Sequence, residues 1–166
     1  MRTESTKGIT LPKLKKKAQD VFNKWIRERD KDSGCISCNG DTQQAGHYFS
    51  SGHYSSLTFS ELNVNGQCVR CNMFLHGNLI QYRMGLVYRY GEREVHQLEQ
   101  DSRYGVKKWS REELEEIIEL YQPDIMVKGS DYKDKSIVGA RHCKEIVFYE
   151  HTGHSTTGII QHITDR

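Results

Sequence analysis

Cys35-Ile-Ser-Cys38 and Cys68-Val-Arg-Cys71 are two Cys-x-x-Cys pairs with 29 residues between them. Each pair suits a tight turn that presents both sulfurs to one tetrahedral metal, so filling such a site joins two distant pieces of chain. The pattern is that of a structural zinc. Four cysteines leave zinc no open position, and any chemistry has to come from other residues that the metal holds in place.

The chain has 166 residues, 36% of them hydrophobic, enough for one modest core or a small domain with an appendage. With 28% charged residues and no long apolar run, a membrane span is not expected, and the lysine-rich start lacks a secretory apolar region. A cytosolic protein is therefore expected, and in that reducing compartment paired Cys-x-x-Cys motifs read as metal ligands. Five cysteines cannot all pair in any case, and Cys143 is left over.

Net charge is only +2 but unevenly spread, with ten Lys/Arg against four Asp/Glu in residues 1–31 and eight against twelve in residues 32–120. The basic end is the natural footprint for a polyanion. From Pro12 to about Asp30, Leu14, Ala18, Val21, Phe22, Trp25 and Ile26 recur at three- and four-residue intervals, which predicts an amphipathic helix. Lys13, Lys15, Lys16 and Lys17 decorate it as candidate phosphate contacts.

Asn39-Gly40 predicts a tight turn beyond the first cysteine pair. Residues 42–60 predict one or two strands with loops, residues 72–90 a helix weakened by Gly77 and Gly85, and residues 92–100 another helix. Ser110-Arg-Glu-Glu113 is a capping box that opens a helix running to Tyr121, where Pro123 stops it. Ile125–Val127 and Glu145–Tyr149 predict strands, and Thr156–Ile163 a short final helix. The expected organisation is a basic helix over 1–31, a zinc-stapled core over 32–121 and an appendage over 122–166.

The segment between the cysteine pairs holds groups suited to phosphodiester hydrolysis, which needs a base to activate water and a divalent cation to offset developing charge. His47 stands as the general base, with Asn63 orienting either a backbone or that base. Asn72 and His76 follow the second cysteine pair as candidate ligands of Mg2+ or Mn2+. His53 and Arg70 are candidate DNA contacts. Tyr48, Tyr54, Phe59 and Phe74 are expected in the core around the zinc, and Arg83 and Arg89 on the surface as solubilising charges.

This order of residues resembles the ββα-metal, or His-Asn-His, nucleases built on a treble-clef zinc frame, an α+β fold. The common arrangement there places an Asp before the catalytic His, whereas this chain has Gly46. His53, Asp41 or Glu61 stand as substitutes for that ligand.

Read together, Leu11-Pro-Lys-Leu-Lys-Lys-Lys17, Gln44-Ala-Gly-His-Tyr48, Gly52-His-Tyr54, Asn63-Val-Asn-Gly-Gln-Cys-Val-Arg-Cys-Asn72 and Leu75-His-Gly-Asn78 resemble the phage lambda NinG/Rap recombination proteins over residues 7–121. The resemblance implies a zinc-containing endonuclease that uses a divalent cation on branched DNA, such as Holliday junctions, in the cytoplasm of the bacterial host. Symmetric junctions also make a homodimer an attractive expectation. Two other readings stand beside it: a non-catalytic zinc-stapled DNA-binding module, and nucleotidyl transfer through the tail.

Residues 122–166 depart from that family. Pro123-Asp-Ile-Met-Val-Lys-Gly-Ser-Asp-Tyr132 and Gly153-His-Ser-Thr-Thr157 are similar to the C-terminal end of cytidylyltransferase-like nucleotidyltransferases. The resemblance implies nucleotide contacts at Lys128, Ser155, Thr156 and Thr157. His151-Thr-Gly-His154 spells the His-x-Gly-His signature of those enzymes but lies at the wrong end of the chain, and most of a nucleotide-binding sheet has no room here. A remnant, rather than a working transferase, is expected.

Overall fold

The computed structural model describes residues 6, 8–122, 125–133, 143 and 145–149. It is an α+β structure in two compact units, Met1–Gln122 and Pro123–Arg166.

The first helix, α1, spans Leu11–Arg29 and buries Leu14, Ala18, Phe22 and Ile26, one side chain per turn. That stripe packs on α4, Arg111–Tyr121, which contributes Leu114, Ile118 and Tyr121. Phe22 meets the Tyr121 ring at 4.9 Å between centroids, and Phe59 at 5.7 Å. At the start of α4 the capping box forms in full: the Ser110 hydroxyl accepts the Glu113 N–H while the Glu113 carboxylate accepts that of Ser110.

A short antiparallel hairpin of β1, Gln44–His47, and β2, Val64–Gln67, lies between the cysteine pairs, with Gly46 opposite Asn65 and His47 opposite Val64. Val64 faces the α1/α4 core. A second core gathers Ile36, Leu57, Tyr82, Leu86, Val95 and Leu98. It joins the first cysteine turn to α2, Leu79–Tyr90, and α3, Glu92–Asp101.

The helix expected over residues 72–90 is broken. Residues Arg70–Phe74 make one wide turn closed by the Leu75 N–H donating to the Arg70 carbonyl at 2.9 Å, five residues back. His76, Gly77 and Asn78 then all take positive φ, and the helix proper begins at Leu79. Left-handed residues end a helix, and Asn and Gly tolerate that conformation best. Phe74, expected in the core, lies on this turn and is 75% exposed.

Gly85 has a packing reason. A Cβ there would stand 1.9 Å from the Ile36 carbonyl oxygen, so only glycine lets α2 lie against the backbone of the first cysteine turn. Arg83 and Arg89 are tied down rather than free: Arg83 pairs with Glu99 and Glu92 at 2.7 Å each, and Arg89 donates to the Gly34 carbonyl at 2.7 Å.

In the second unit, β3, Ile125–Gly129, and β4, Glu145–Tyr149, run parallel, with Ile125 opposite Glu145. The expected helix over Thr156–Ile163 lies outside the described residues. Among those described, no helix is long and apolar enough to cross a membrane.

Candidate metal centre and the hairpin beside it

Both cysteine pairs sit on tight turns. In the first, the Cys38 and Asn39 N–H groups donate to the Cys35 carbonyl, the Cys35 N–H donates to that of Gly40 at 2.6 Å, and Asn39 takes a φ of 59°. In the second, the Cys71 N–H donates to the Cys68 sulfur at 3.4 Å. The four ligand sulfurs all lie within 4.8 Å of one another, and Cys38 and Cys68 approach to 3.7 Å. Zinc–sulfur bonds of about 2.3 Å in a tetrahedron put the sulfurs about 3.8 Å apart, so the residues fit the ion.

Electrostatics point the same way. Four thiols this close cannot all ionise without a cation. Burial and the neighbouring sulfurs push the Cys71 thiol up to about 12, and burial pushes Cys35 up too. At Cys68 burial also opposes ionisation, but hydrogen bonds from Cys71 and the adjacent sulfurs outweigh it and bring the thiol down to about 7. Asn78, left-handed at the head of α2, donates its amide to the Cys71 sulfur at 3.5 Å.

His47 ends β1, half-buried, with Nε2 3.3 Å from the Thr58 carbonyl oxygen. A carbonyl only accepts, so Nε2 carries a proton, and in the neutral ring Nδ1 keeps its lone pair. Burial pushes the imidazole below its ordinary value, with the Thr58 carbonyl acting partly against it. Burial thus favours the neutral ring.

Asn63 is fully buried and orients backbone. Its Oδ1 accepts the Phe49 N–H at 2.8 Å, while Nδ2 donates to the carbonyls of Phe49 and Leu57 at 3.0 Å each. One amide thus clasps both ends of the loop that carries Thr58 back to His47. The Asn63 carbonyl in turn accepts the Tyr48 N–H at 2.9 Å. The Tyr82 hydroxyl donates to the Gly46 carbonyl at 2.9 Å, with the Asn63 carbonyl at 3.2 Å.

Gly46 now has a reason of its own. A Cβ at this position would lie 2.0 Å from Gln67 Oε1, so the space of an acidic side chain is filled by a buried amide. Gln67 Nε2 donates to Ser37 Oγ and the Gly77 carbonyl at 2.8 Å each, and Oε1 has no hydrogen-bond partner.

The remaining candidates separate. Asn72 donates through Nδ2 to Gln44 Oε1 at 2.7 Å, which ties it to the start of β1. His76, Arg70 and His53 are exposed, as are Lys13 and Lys16, whereas Lys15 and Lys17 are half-buried. Asp41 is exposed, and Glu61 accepts the Tyr121 hydroxyl at 2.9 Å. Among the described residues, the four cysteines are the one group of three or more His, Cys, Asp or Glu positioned to share a metal. Lys128 lies 5.6 Å from the Tyr132 ring centre, and Ser155, Thr156 and Thr157 fall outside the described residues.

Sequence reasoning missed Thr58, Gln67, Asn78 and Tyr82. A Thr that acts through its carbonyl leaves no side-chain signature, and the Tyr82 hydroxyl is placed only by tertiary packing.

No solved structure matches the chain. A 49-residue stretch is 45% identical to the Bifunctional protein HldE of Helicobacter hepaticus, covering 29% of this chain and 10% of that protein. Protein ninG of Escherichia phage lambda is 41% identical over 110 residues, 64% of this chain and 53% of the relative, and Protein ninG of Salmonella phage P22 gives the same figures. The chain thus matches about half the length of these curated relatives. The family model described as Bacteriophage Lambda NinG protein matches residues 2–129, and the chain belongs to that family.

Proposed function

We propose that the chain is a metal-dependent endonuclease of the His-Asn-His type that acts on branched DNA. The observation that carries this reading is the setting of His47 at the end of β1: its Nε2 proton is engaged by the Thr58 carbonyl, burial favours the neutral ring with its Nδ1 lone pair, and Asn63 clasps the neighbouring loop from Phe49 to Leu57. On this reading β1 and β2 are the hairpin of a ββα-metal fold, the segment from Asn72 into α2 its helical arm, and the zinc its treble-clef frame.

The chemistry follows from those positions. His47 Nδ1 takes a proton from water, the water oxygen bonds to phosphorus, and the phosphorus–oxygen bond to the leaving deoxyribose breaks, its oxygen regaining a proton from solvent. Bound Mg2+ or Mn2+ would supply charge neutralisation at the phosphate. Asn72, through Oδ1, and His76 are the donors this chain offers it. Lys13, Lys16, Arg70 and His53 are exposed for backbone phosphates, which gives binding that depends on salt and branch shape rather than base sequence. The host cytoplasm, where such DNA is found, is the matching location.

A second reading, a zinc-stapled module that binds junction DNA without cutting it, is favoured by the Gln67 amide where an acidic ligand at position 46 would reach. Nucleotidyl transfer has much weaker support, since the matching stretch covers 10% of the HldE protein. Incubation with four-way, three-way and linear duplexes plus Mg2+ or Mn2+ separates the first two. Cleavage by wild type that His47→Ala abolishes supports the nuclease; tight junction binding without cleavage in either metal, unaffected by His47→Ala, supports the binding module.

A further inference from the structure

Seven of the thirteen exposed large apolar side chains among the described residues fall between Met73 and Tyr88. On α2 they form a row: Ile80 is 78% exposed, Met84 61% and Tyr88 92%. Four-residue spacing puts the three on one face, opposite the buried Tyr82 and Leu86. The turn leading into the helix adds Met73 and Phe74.

Along the Ile80–Met84–Tyr88 row there is no free cation. Between Leu79 and Tyr88 the one lysine or arginine is Arg83, and its guanidinium is taken by Glu92 and Glu99. A phosphate backbone finds nothing to neutralise it there, so nucleic acid is a poor occupant.

We propose that this face of α2 pairs with the same face of a second copy of the chain. The row is self-complementary. About a two-fold axis through Met84, two antiparallel helices set Met84 on Met84 and Ile80 against Tyr88, the i, i+4 ridge of one lying in the groove of the other. Methionine at the axis suits a contact with itself, since its unbranched thioether adapts to fill a gap. Size also agrees. The exposed parts of Ile80, Met84 and Tyr88 amount to roughly several hundred Å2, the scale of the largest and often functional patch on a monomer, and a substantial part of the ~800 Å2 per partner that a standard interface buries. The inference stands apart from the nuclease reading and needs no DNA.

Sedimentation of the full, zinc-loaded chain at micromolar concentration tests it. Wild type is expected as a dimer, and Met84→Glu and Met84→Lys as monomers with unchanged helical signal and zinc content. An equimolar mixture of the two variants should regain the dimer, because position 84 meets only itself. A monomeric wild type, a dimer that both charged variants leave intact, or a mixture that stays monomeric would each overturn the proposal. Tyr88→Glu gives the same monomer by a different side chain should a charge at 84 disturb folding.

Discussion

The Asp30 carboxylate accepts the backbone N–H of Gly66 at 2.6 Å, tying the end of the basic helix to the strand that leads into the second cysteine pair. Asp30 is only 4% exposed and is held on its other side by Arg29 at 2.7 Å, with Arg89 at 3.7 Å. Arg29 reaches further, donating to the Val64 carbonyl and to Asn65 Oδ1. The helix is thereby registered against the hairpin that presents His47.

Removing that carboxylate leaves the buried Gly66 N–H without its acceptor and takes the near counter-ion from Arg29 and Arg89. Asp30→Ala should destabilise the fold by about 3 kcal/mol, the usual loss when one partner of a buried charged network is deleted. Asp30→Asn keeps an acceptor for Gly66 and should lose less. Urea denaturation with matched slopes measures both; a loss under about 0.5 kcal/mol for the alanine variant would show the network to be ornamental.

Zinc should be present at one ion per chain, and its removal should be felt unevenly. Ile36 lies inside the first cysteine turn and in the core with Tyr82 and Leu86, whereas the α1/α4 core contains none of the four ligands. Chelation should therefore expose amides of α2 and α3 to hydrogen exchange well before those of α1. Uniform loss of protection in both cores would contradict this division.

His47 should make stability fall with acid, and cleavage with it where His47 is the base. Its folded value is held below 6.5 by burial, so the unfolded chain binds the proton more readily. Stability is then complete above about pH 6.5 and declines as pH falls from there through the depressed value. His47→Gln should flatten that decline. If His47 is the base, wild-type cleavage should share the limb, level at neutral pH and falling on its acid side; a rate that rises below pH 6.5 would exclude the role.

The four-cysteine cluster, the amphipathic first helix and the capped last helix of the first unit were legible because each is a local pattern: cysteine spacing, a recurring apolar stripe, and Ser110 three residues before Glu113. The break at His76–Asn78 was partly legible through Gly77, yet the apolar residues on either side suggested a continuous helix. What stayed hidden depends on approach between distant segments. Gly85 reads as a weak helix position until Ile36 is seen beneath it. Asn63 reads as a turn residue until its amide is found closing a loop on Phe49 and Leu57.

Gly46 and Gln67 form the pair in which packing and chemistry meet, and their coupling is measurable. Gly46→Asp alone forces a side chain into the space of Gln67 Oε1 and should destabilise by about 1–3 kcal/mol, the usual range for overpacking. Gln67→Ala alone loses the bonds to Ser37 and Gly77 and opens a cavity. Combined, the new carboxylate occupies the space that the amide vacates, so the double variant should be more stable than the two single losses predict, by about 0.5–3 kcal/mol in a double-mutant cycle. The same protein distinguishes the functional readings. A carboxylate beside His47 is a harder ligand than any amide, so in a nuclease it should lower the Mg2+ concentration needed for cleavage. In a binding module it adds a negative charge close to phosphate and should weaken junction binding instead.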